Sequence, residues 1–193
     1  MPRQTFDAGY YRRFYLDRRR RVASPEGTAK LVDFVAAYLR VLDVRVRTVL
    51  DLGCGLGWWK APVLRAFPRA RWTGVEVSEH LCEELGWKRG SVVDWKGAPA
   101  DLVVSQGVLQ YLGDRDATRA LRNLARLAKK ALYLEALTSE DWRDNVDRER
   151  SDGEVALRPA EFYRSALRKQ FVHCGGGLWV REGEATLFAL EAP

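Results

Sequence analysis

Leu31, Phe34, Val35, Tyr38, Leu39 and Leu42 recur every three or four residues, the spacing of one face of a helix. Just before them, Ser24-Pro25-Glu26-Gly27-Thr28 breaks the chain, with Ser24 placed as an N-cap and Pro25 in the first turn. The next apolar run, Arg47 to Leu52, is short and stops at Gly53, which predicts a buried strand. Trp58 to Phe67 then suits a helix, with Pro62 tolerated in its first turn. The alternation continues with a strand over Trp72 to Val77 and a helix over Ser78 to Leu85. A short strand comes next at Ser91 to Val93, and another at Asp101 to Ser105. Asp116 to Lys130 predicts a helix, with Leu121, Leu124 and Leu127 inside, and Ala131 to Leu137 a strand. Strand and helix alternating at this pitch predict a mainly parallel sheet covered on both faces. The last third differs. Glu161 to Lys169 is expected to be helical, and Gln170 to Cys174 and Ala185 to Glu191 to be strands around Gly175, Gly176 and Gly177. Two strands so close pair antiparallel.

Composition narrows the class. A chain of 193 residues suits one domain, and 47% hydrophobic with 30% charged residues suits a packed core under a hydrated surface. No apolar run reaches the ~20 residues of a membrane span, and the N-terminus carries no apolar signal stretch. Three cysteines far apart fit neither a disulfide framework nor a zinc site, so no metal is expected and a cytoplasmic setting is. The formal charge is +6, and residues 1–30 hold eight basic groups against three acids, a net of +5. Arginines there interleave with Phe6, Tyr10, Tyr11, Phe14 and Tyr15. The segment can be read in two ways: as a surface for nucleic acid or another anion, or as a helix docked by its aromatics with arginines in water.

The main chemical signal is Val49-Leu50-Asp51-Leu52-Gly53-Cys54-Gly55-Leu56-Gly57. A buried strand runs into three glycines, which lets backbone approach a ligand closely, and the next helix directs its N-terminal amides the same way. The match to the dinucleotide fingerprint is imperfect, because tryptophan occupies position 58. Asp51 sits two residues before the first glycine, where a pyrophosphate would repel it and an ammonium or sulfonium would attract it. Glu76 ends the next strand, nineteen residues after Gly57, where an acid accepts from ribose hydroxyls. Asp94 and Trp95 are placed to hold an adenine by its amino group and its face. Ser105, Gln106 and Gly107 end the strand after that. Ligands of open α/β sheets bind outside the carboxyl ends of the strands, so these four signals converge on one edge.

At these residues the chain resembles the class I S-adenosylmethionine-dependent methyltransferases, in particular those acting on small molecules. VLDLGCGLG is similar to the family's first motif and GVEVS to its second. SVVDW, DLVVSQGVLQYL and ALYLEALT stand where the next three fall. The resemblance implies a Rossmann-like α/β fold with a seven-stranded, mainly parallel sheet of order 3-2-1-4-5-7-6, strand 7 antiparallel, and helices on both faces. It implies a single domain over 1–193, divided into an N-terminal helical lid (1–44), a cofactor-binding core (45–137) and an acceptor-pocket region with the terminal strands (138–193). The implied cofactor is S-adenosylmethionine, with S-adenosylhomocysteine as product. Asp51, Gly53, Gly55 and Gly57 would surround its methionine part and Glu76 its ribose. Asp94 and Trp95 would hold its adenine, and Ser105, Gln106 and Gly107 would line the edge near the sulfonium. Tyr11 or Arg12 of an N-terminal helix would reach the cofactor carboxylate.

The implied reaction is in-line methyl transfer to an oxygen, nitrogen or carboxylate of a small-molecule acceptor, where positioning is the main demand. A general base is needed only for some acceptors. The candidates are Glu135, near the end of the fifth strand, and His173, in a late strand. Asp141, Trp142 and Asn145 fall where the acceptor pocket is expected. Rival readings are an RNA methyltransferase using the basic N-terminus, an NAD(P)-dependent oxidoreductase, and a cofactor-binding partner protein without catalysis. The chain lacks an Asn/Asp-Pro-Pro-aromatic motif after the fourth strand and a Pro-Cys nucleophile. No membrane partner is implied.

Overall fold

The computed structural model describes residues 5–19, 21, 23–148 and 150–188. Its centre is a seven-stranded sheet built from β1 (Thr48–Leu52), β2 (Arg71–Glu76), β3 (Lys88–Arg89), β4 (Ala100–Gln106), β5 (Ala128–Glu135), β6 (Phe171–His173) and β7 (Leu178–Arg181). The spatial order is β3-β2-β1-β4-β5-β7-β6, as the resemblance implied. β1 pairs in parallel with β2 and β4, and β4 in parallel with β5, while β7 runs antiparallel to β5 and to β6.

Alternation along the strands sends apolar side chains to both faces, the signature of a parallel sheet covered twice. Val49, Leu102, Val104, Ala131, Tyr133 and Val180 meet α2 (Pro25–Val41) and α3 (Lys60–Ala66) through Val32, Val35, Leu39 and Val63. Leu50, Leu52, Val103, Leu132 and Leu134 meet α5 (Asp114–Leu127) and α7 (Ala160–Leu167) on the other face. Helix α2 begins where the break predicts: Pro25 occupies its first turn and the Ser24 hydroxyl accepts from the Gly27 N–H at 3.0 Å. Phe34, expected in the core, lies on the flank of α2, 46% exposed, with its ring over Gly176.

Two strands differ from the sequence reading. Ser91 to Val93 is a turn, not a strand: the Ser91 carbonyl accepts from the Trp95 N–H at 2.9 Å and its hydroxyl from Val93. The β3 pairing occupies Lys88 and Arg89 just before it, opposite Val75 and Glu76. The terminal hairpin closes immediately after Gly175–Gly177, so its second strand is Leu178–Arg181; Ala185–Phe188 forms no strand, and residues 189–191 lie outside the described ones. The helix expected to run to Lys130 ends at Leu127, where β5 begins without a loop. Arg181 makes this abrupt junction possible by donating to the carbonyls of Ala125 and Ala128 while its guanidinium lies over Phe171.

The N-terminal segment runs through a short helix, α1 (Ala8–Tyr11), into one wide turn at Arg12–Leu16, in which Asp17 N–H reaches back five residues to Arg12 O at 2.9 Å. Its aromatics dock, as one of the two readings of its charge held: Tyr10 and Tyr11 are buried, while Arg12, Arg13, Arg18 and Arg19 are exposed. Among the described residues there are also α4 (Glu79–Leu85) after β2, α6 (Ser139–Asp144) after β5 and a short 3-10 turn at Leu109–Tyr111.

A second clasp holds the segment beyond β5. Thr138 and Arg158 form an isolated bridge, and Ser139 N–H donates to Arg158 O at 2.9 Å. The Arg158 side chain is 4% exposed and donates to Asp114 Oδ1 at 2.8 Å, to Leu109 O at 3.2 Å, and to the carbonyls of Ala156 and Leu112. A buried guanidinium shared among that many acceptors is costly to remove. Arg158→Met is expected to lower unfolding free energy by about 3 kcal/mol and to speed amide exchange across residues 139–157. Urea denaturation and hydrogen exchange check both, and a loss below about 1 kcal/mol, the scale of an exposed pair, would show the clasp is not structural.

Candidate functional site: a cleft at the carboxyl edge of the sheet

The glycine loop leaves β1 and folds tightly against β2 and β4. Gly53 N–H and Cys54 N–H both donate to Val75 O, at 2.8 and 3.1 Å. At Gly53 φ is +78°, and a Cβ would stand 2.3 Å from a Val108 methyl, so only glycine fits. Gly55 also has positive φ (+50°), but its missing Cβ points into open space, which leaves the backbone exposed to a ligand. Trp87 supports the loop from below: its indole N–H donates to Gly55 O at 2.9 Å, and its ring lies against Gly57.

Glu76 fastens this loop to the end of β2. Its Oε2 accepts from Gly55 N–H at 2.8 Å, and its Oε1 from Val77 N–H and Ser78 N–H at 2.8 and 3.0 Å. The side chain is buried. Ser78 then caps α4 and donates from its hydroxyl to Phe6 O at 2.6 Å, which ties the N-terminal segment to the same point.

In front of the loop lies a cavity of about 460 Å³. Asp51, Gly53, Cys54, Gly55 and Leu56 form one wall, and Gln106 and Gly107 the floor beyond β4. Asp51 is 2% exposed, and its Oδ2 has no partner among the described residues. Burial, reinforced by the Glu76 charge, pushes its carboxyl up to about 8. A buried acceptor held this way favours a cation, because a positive charge beside it restores the ionised form.

The opposite wall comes from β5 and the segment after it. Gln106 and Glu135 are register partners at the ends of β4 and β5, and they join in a chain of hydrogen bonds. Trp59 Nε1–H donates to Gln106 Oε1 at 2.8 Å, Gln106 Nε2 donates to Glu135 Oε2 at 3.0 Å, and Tyr133 O–H donates to the same oxygen at 2.8 Å. Asp141, Asn145, Val146, Ser151, Asp152 and Val155 close the far side. Asp141 is held well below the usual carboxylate range by the donors of the Thr138 cap and Asn145, which outweigh its burial.

Asp51, Gly53, Gly55, Gln106, Gly107 and Glu135 thus meet in one cleft, and Glu76 and Gly57 shape its loop. Ser105 is fully buried behind the cleft, its hydroxyl without a partner among the described residues. Asp94 is exposed in the turn after β3, and Trp95 packs over Gly90 and Gly97; neither lines the cavity. His173 stacks on Trp179 at 4.4 Å in the terminal hairpin, away from the cavity, and burial lowers its pKa. Tyr11 is buried against Tyr10 and Tyr15, and it is Tyr15 that lines the cavity, its ring 5.7 Å from Trp58. Gln110, Tyr111 and Asp152 escaped the sequence reading, because short turns and polar loops carry no periodicity.

Residues 49–131 match the family model of a methyltransferase domain. A 75-residue stretch is 33% identical to the trans-aconitate 2-methyltransferase of Azoarcus sp. strain BH72, covering 35% of this chain and 30% of that protein. Among solved structures, the fold is similar to magnesium protoporphyrin IX methyltransferase from Synechocystis PCC 6803 with bound S-adenosylmethionine (19% identity, TM-score 0.59, 81% of each chain). It is also similar to a sugar N-methyltransferase from a Streptoalloteichus species (21%, TM-score 0.60, 86% of this chain and 90% of that one). An amino pentose methyltransferase from Micromonospora echinaspora gives a TM-score of 0.61 at 16% identity, over 84% and 94% of the two chains. This match and this fold together support a methyltransferase domain of class I, the class that uses S-adenosylmethionine.

The pH behaviour of Asp51 tests its setting. A carboxyl near 8 in the folded protein and about 3.9 unfolded keeps a proton on folding across that window. Its contribution to stability is therefore present below about pH 4 and is lost as pH rises toward 8. Asp51→Asn cannot ionise. The variant is expected to gain stability relative to the wild type as pH rises from 5 to 8, read by urea denaturation at several pH values. A stability gap independent of pH would contradict the assignment.

Proposed function

We propose that this protein transfers a methyl group from S-adenosylmethionine to a small-molecule acceptor held between the glycine loop and the segment after β5. The observation that carries the reading is Asp51: a buried carboxyl facing the cavity with one oxygen unpaired, beside a glycine loop whose backbone is open to a ligand. The fold likeness and the domain match support it. When bound, S-adenosylmethionine supplies a methyl carbon on a sulfonium leaving group.

The chain's own residues do the positioning. Asp51 attracts the cationic methionine end, and Gly55, whose missing Cβ points into open space, lets the backbone come close to it, while Gly53 and Gly57 allow the loop to pack on Val108 and Trp87. A carboxylate accepts about four hydrogen bonds; three at Glu76 come from the loop and β2, leaving one position for a ribose hydroxyl. Asp94 and Trp95 lie beyond β3 and outside this cavity. Gln106, fixed between Trp59 and Glu135, separates the cofactor wall from the acceptor wall. Tyr15 and Trp58 line the cavity with their rings in contact, and the N-terminal segment that carries Tyr15 acts as a lid that excludes water from the reacting atoms. The trans-aconitate, porphyrin and amino-pentose enzymes to which the chain is similar all carry small acceptors in their names, and the cavity is of that scale.

Calorimetry with S-adenosylmethionine tests the reading. The wild type is expected to bind, and Asp51→Ala or Glu76→Ala to weaken binding at least tenfold, the scale of a lost charged hydrogen bond. An absence of wild-type binding would refute the proposal. Deleting residues 1–22 is expected to weaken binding while thermal unfolding stays cooperative, and an unchanged affinity would remove the lid role.

A further inference from the structure

We propose that the acceptor is a small amine bound as its ammonium, with Glu135 as its anchor and proton acceptor. This rests on the methyltransferase reading above and concerns only the acceptor wall. The protein carries a formal charge of +6, yet the described residues lining the cavity include no lysine, arginine or histidine. They include four acids: Asp51, Glu135, Asp141 and Asp152. Asp141 is committed to the α6 cap, and Asp51 faces the cofactor wall. That leaves Glu135 and Asp152 for the acceptor.

Both have acceptor capacity to spare. Tyr133 and Gln106 donate to one oxygen of Glu135, and no described residue pairs with the other, Oε1. Asp152 Oδ1 accepts from Glu154 N–H at 3.0 Å and the Tyr111 hydroxyl interacts with the same carboxylate, while its buried Oδ2 lies outside hydrogen-bond geometry with any described residue. A third group points to the same ligand chemistry independently. Gln110 is only 9% exposed, lines the cavity, and its side-chain carbonyl oxygen is buried without a partner among the described residues. Three unpaired acceptors around one cavity, with no cationic side chain among the described residues to meet them, call for a ligand that donates several hydrogen bonds and brings positive charge. An ammonium has three donors and one charge. A carboxylate or phosphate would meet only repulsion there.

The rest of the lining sets the skeleton. Tyr15, Trp58, Trp59 and Tyr111 offer aromatic faces that attract a cation, and Ala136, Leu137 and Val155 add apolar surface. A compact amine with an apolar or aromatic body fits this mixture. Glu135 stands two strands from β1, roughly 10 Å across the sheet, so it serves the acceptor rather than the methionine end. An ammonium has no free electron pair for attack. Glu135 takes one proton from it: the N–H bond breaks, the pair stays on nitrogen, and the proton rests on the carboxylate.

The test uses the full chain saturated with S-adenosylhomocysteine and matched probes on one skeleton: phenethylamine, 2-phenylethanol and phenylacetate, with a cyclohexyl set beside them. The amine of each set is expected to bind at least tenfold more tightly than its alcohol and carboxylate. Glu135→Gln and Asp152→Asn should each reduce that preference at least fivefold with S-adenosylhomocysteine affinity unchanged. Amines that bind no better than their neutral or anionic counterparts, undetectable binding by all three included, overturn the inference while leaving the cofactor reading intact. Failure of the wild type to bind S-adenosylhomocysteine would instead bring down the cofactor reading.

Discussion

One buried carboxylate organises the cleft. Glu76 accepts backbone N–H groups from both sides of a strand crossing: Gly55 of the loop after β1, and Val77 and Ser78 at the end of β2. Hydrogen bonds to an ionised acceptor are about twice as strong as neutral ones, so the loop is held in a conformation that glycine's freedom alone would leave open. Ser78 carries the same connection further, capping α4 and gripping Phe6 O, which places Tyr15 over the cavity. The Glu76 charge also adds to burial in raising Asp51. Loop, N-terminal segment and buried acid are therefore joined at one point.

The cavity's electrostatics run against those of the whole molecule. Most of the formal charge lies in the first thirty residues, and the arginines described there face water while the tyrosines and phenylalanines face inward. The solvent-facing arginines described there belong to the charge that looked like a nucleic-acid signal. Inside, the described lining is acidic and aromatic. Net charge speaks to solubility and long-range steering; the local donor and acceptor count speaks to the ligand.

Much of this was legible in the sequence, for a physical reason. Parallel strands that are buried on both faces read as apolar runs, and glycines at strand ends mark close approach, so β1, β2, β4 and the Asp51 to Gly57 loop stood out. The parts that stayed hidden have short or irregular geometry. β3 is two residues long, and the apolar pair Val92-Val93 beside it drew the strand assignment into a turn. Leu178–Arg181 was masked because the hairpin closes directly on the glycines. The wide turn at Arg12–Leu16 breaks the ordinary helical angle, and it is Tyr15 that lines the cavity, where the family resemblance implied Tyr11 or Arg12. Asp152 and Gln110 belong to loops and a short turn, and their place in the site emerges only when Arg158 draws that segment over the sheet.

The bridge between Thr138 and Arg158 has one further meaning. By pairing the two ends of residues 139–157, it turns that stretch into a closed loop, held further by Glu140 on Ala160 N–H and by Ala156 N–H on Gln110 O. Lengthening a closed loop costs entropy only as the logarithm of its length. Insertions or exchanges within it can therefore reshape the far side of the cavity while the strands, the glycine loop and the buried acids at the strand ends stay where they are. The architecture separates a fixed half from a replaceable one, so the far side of the cavity can change by small genetic steps that never touch the fold.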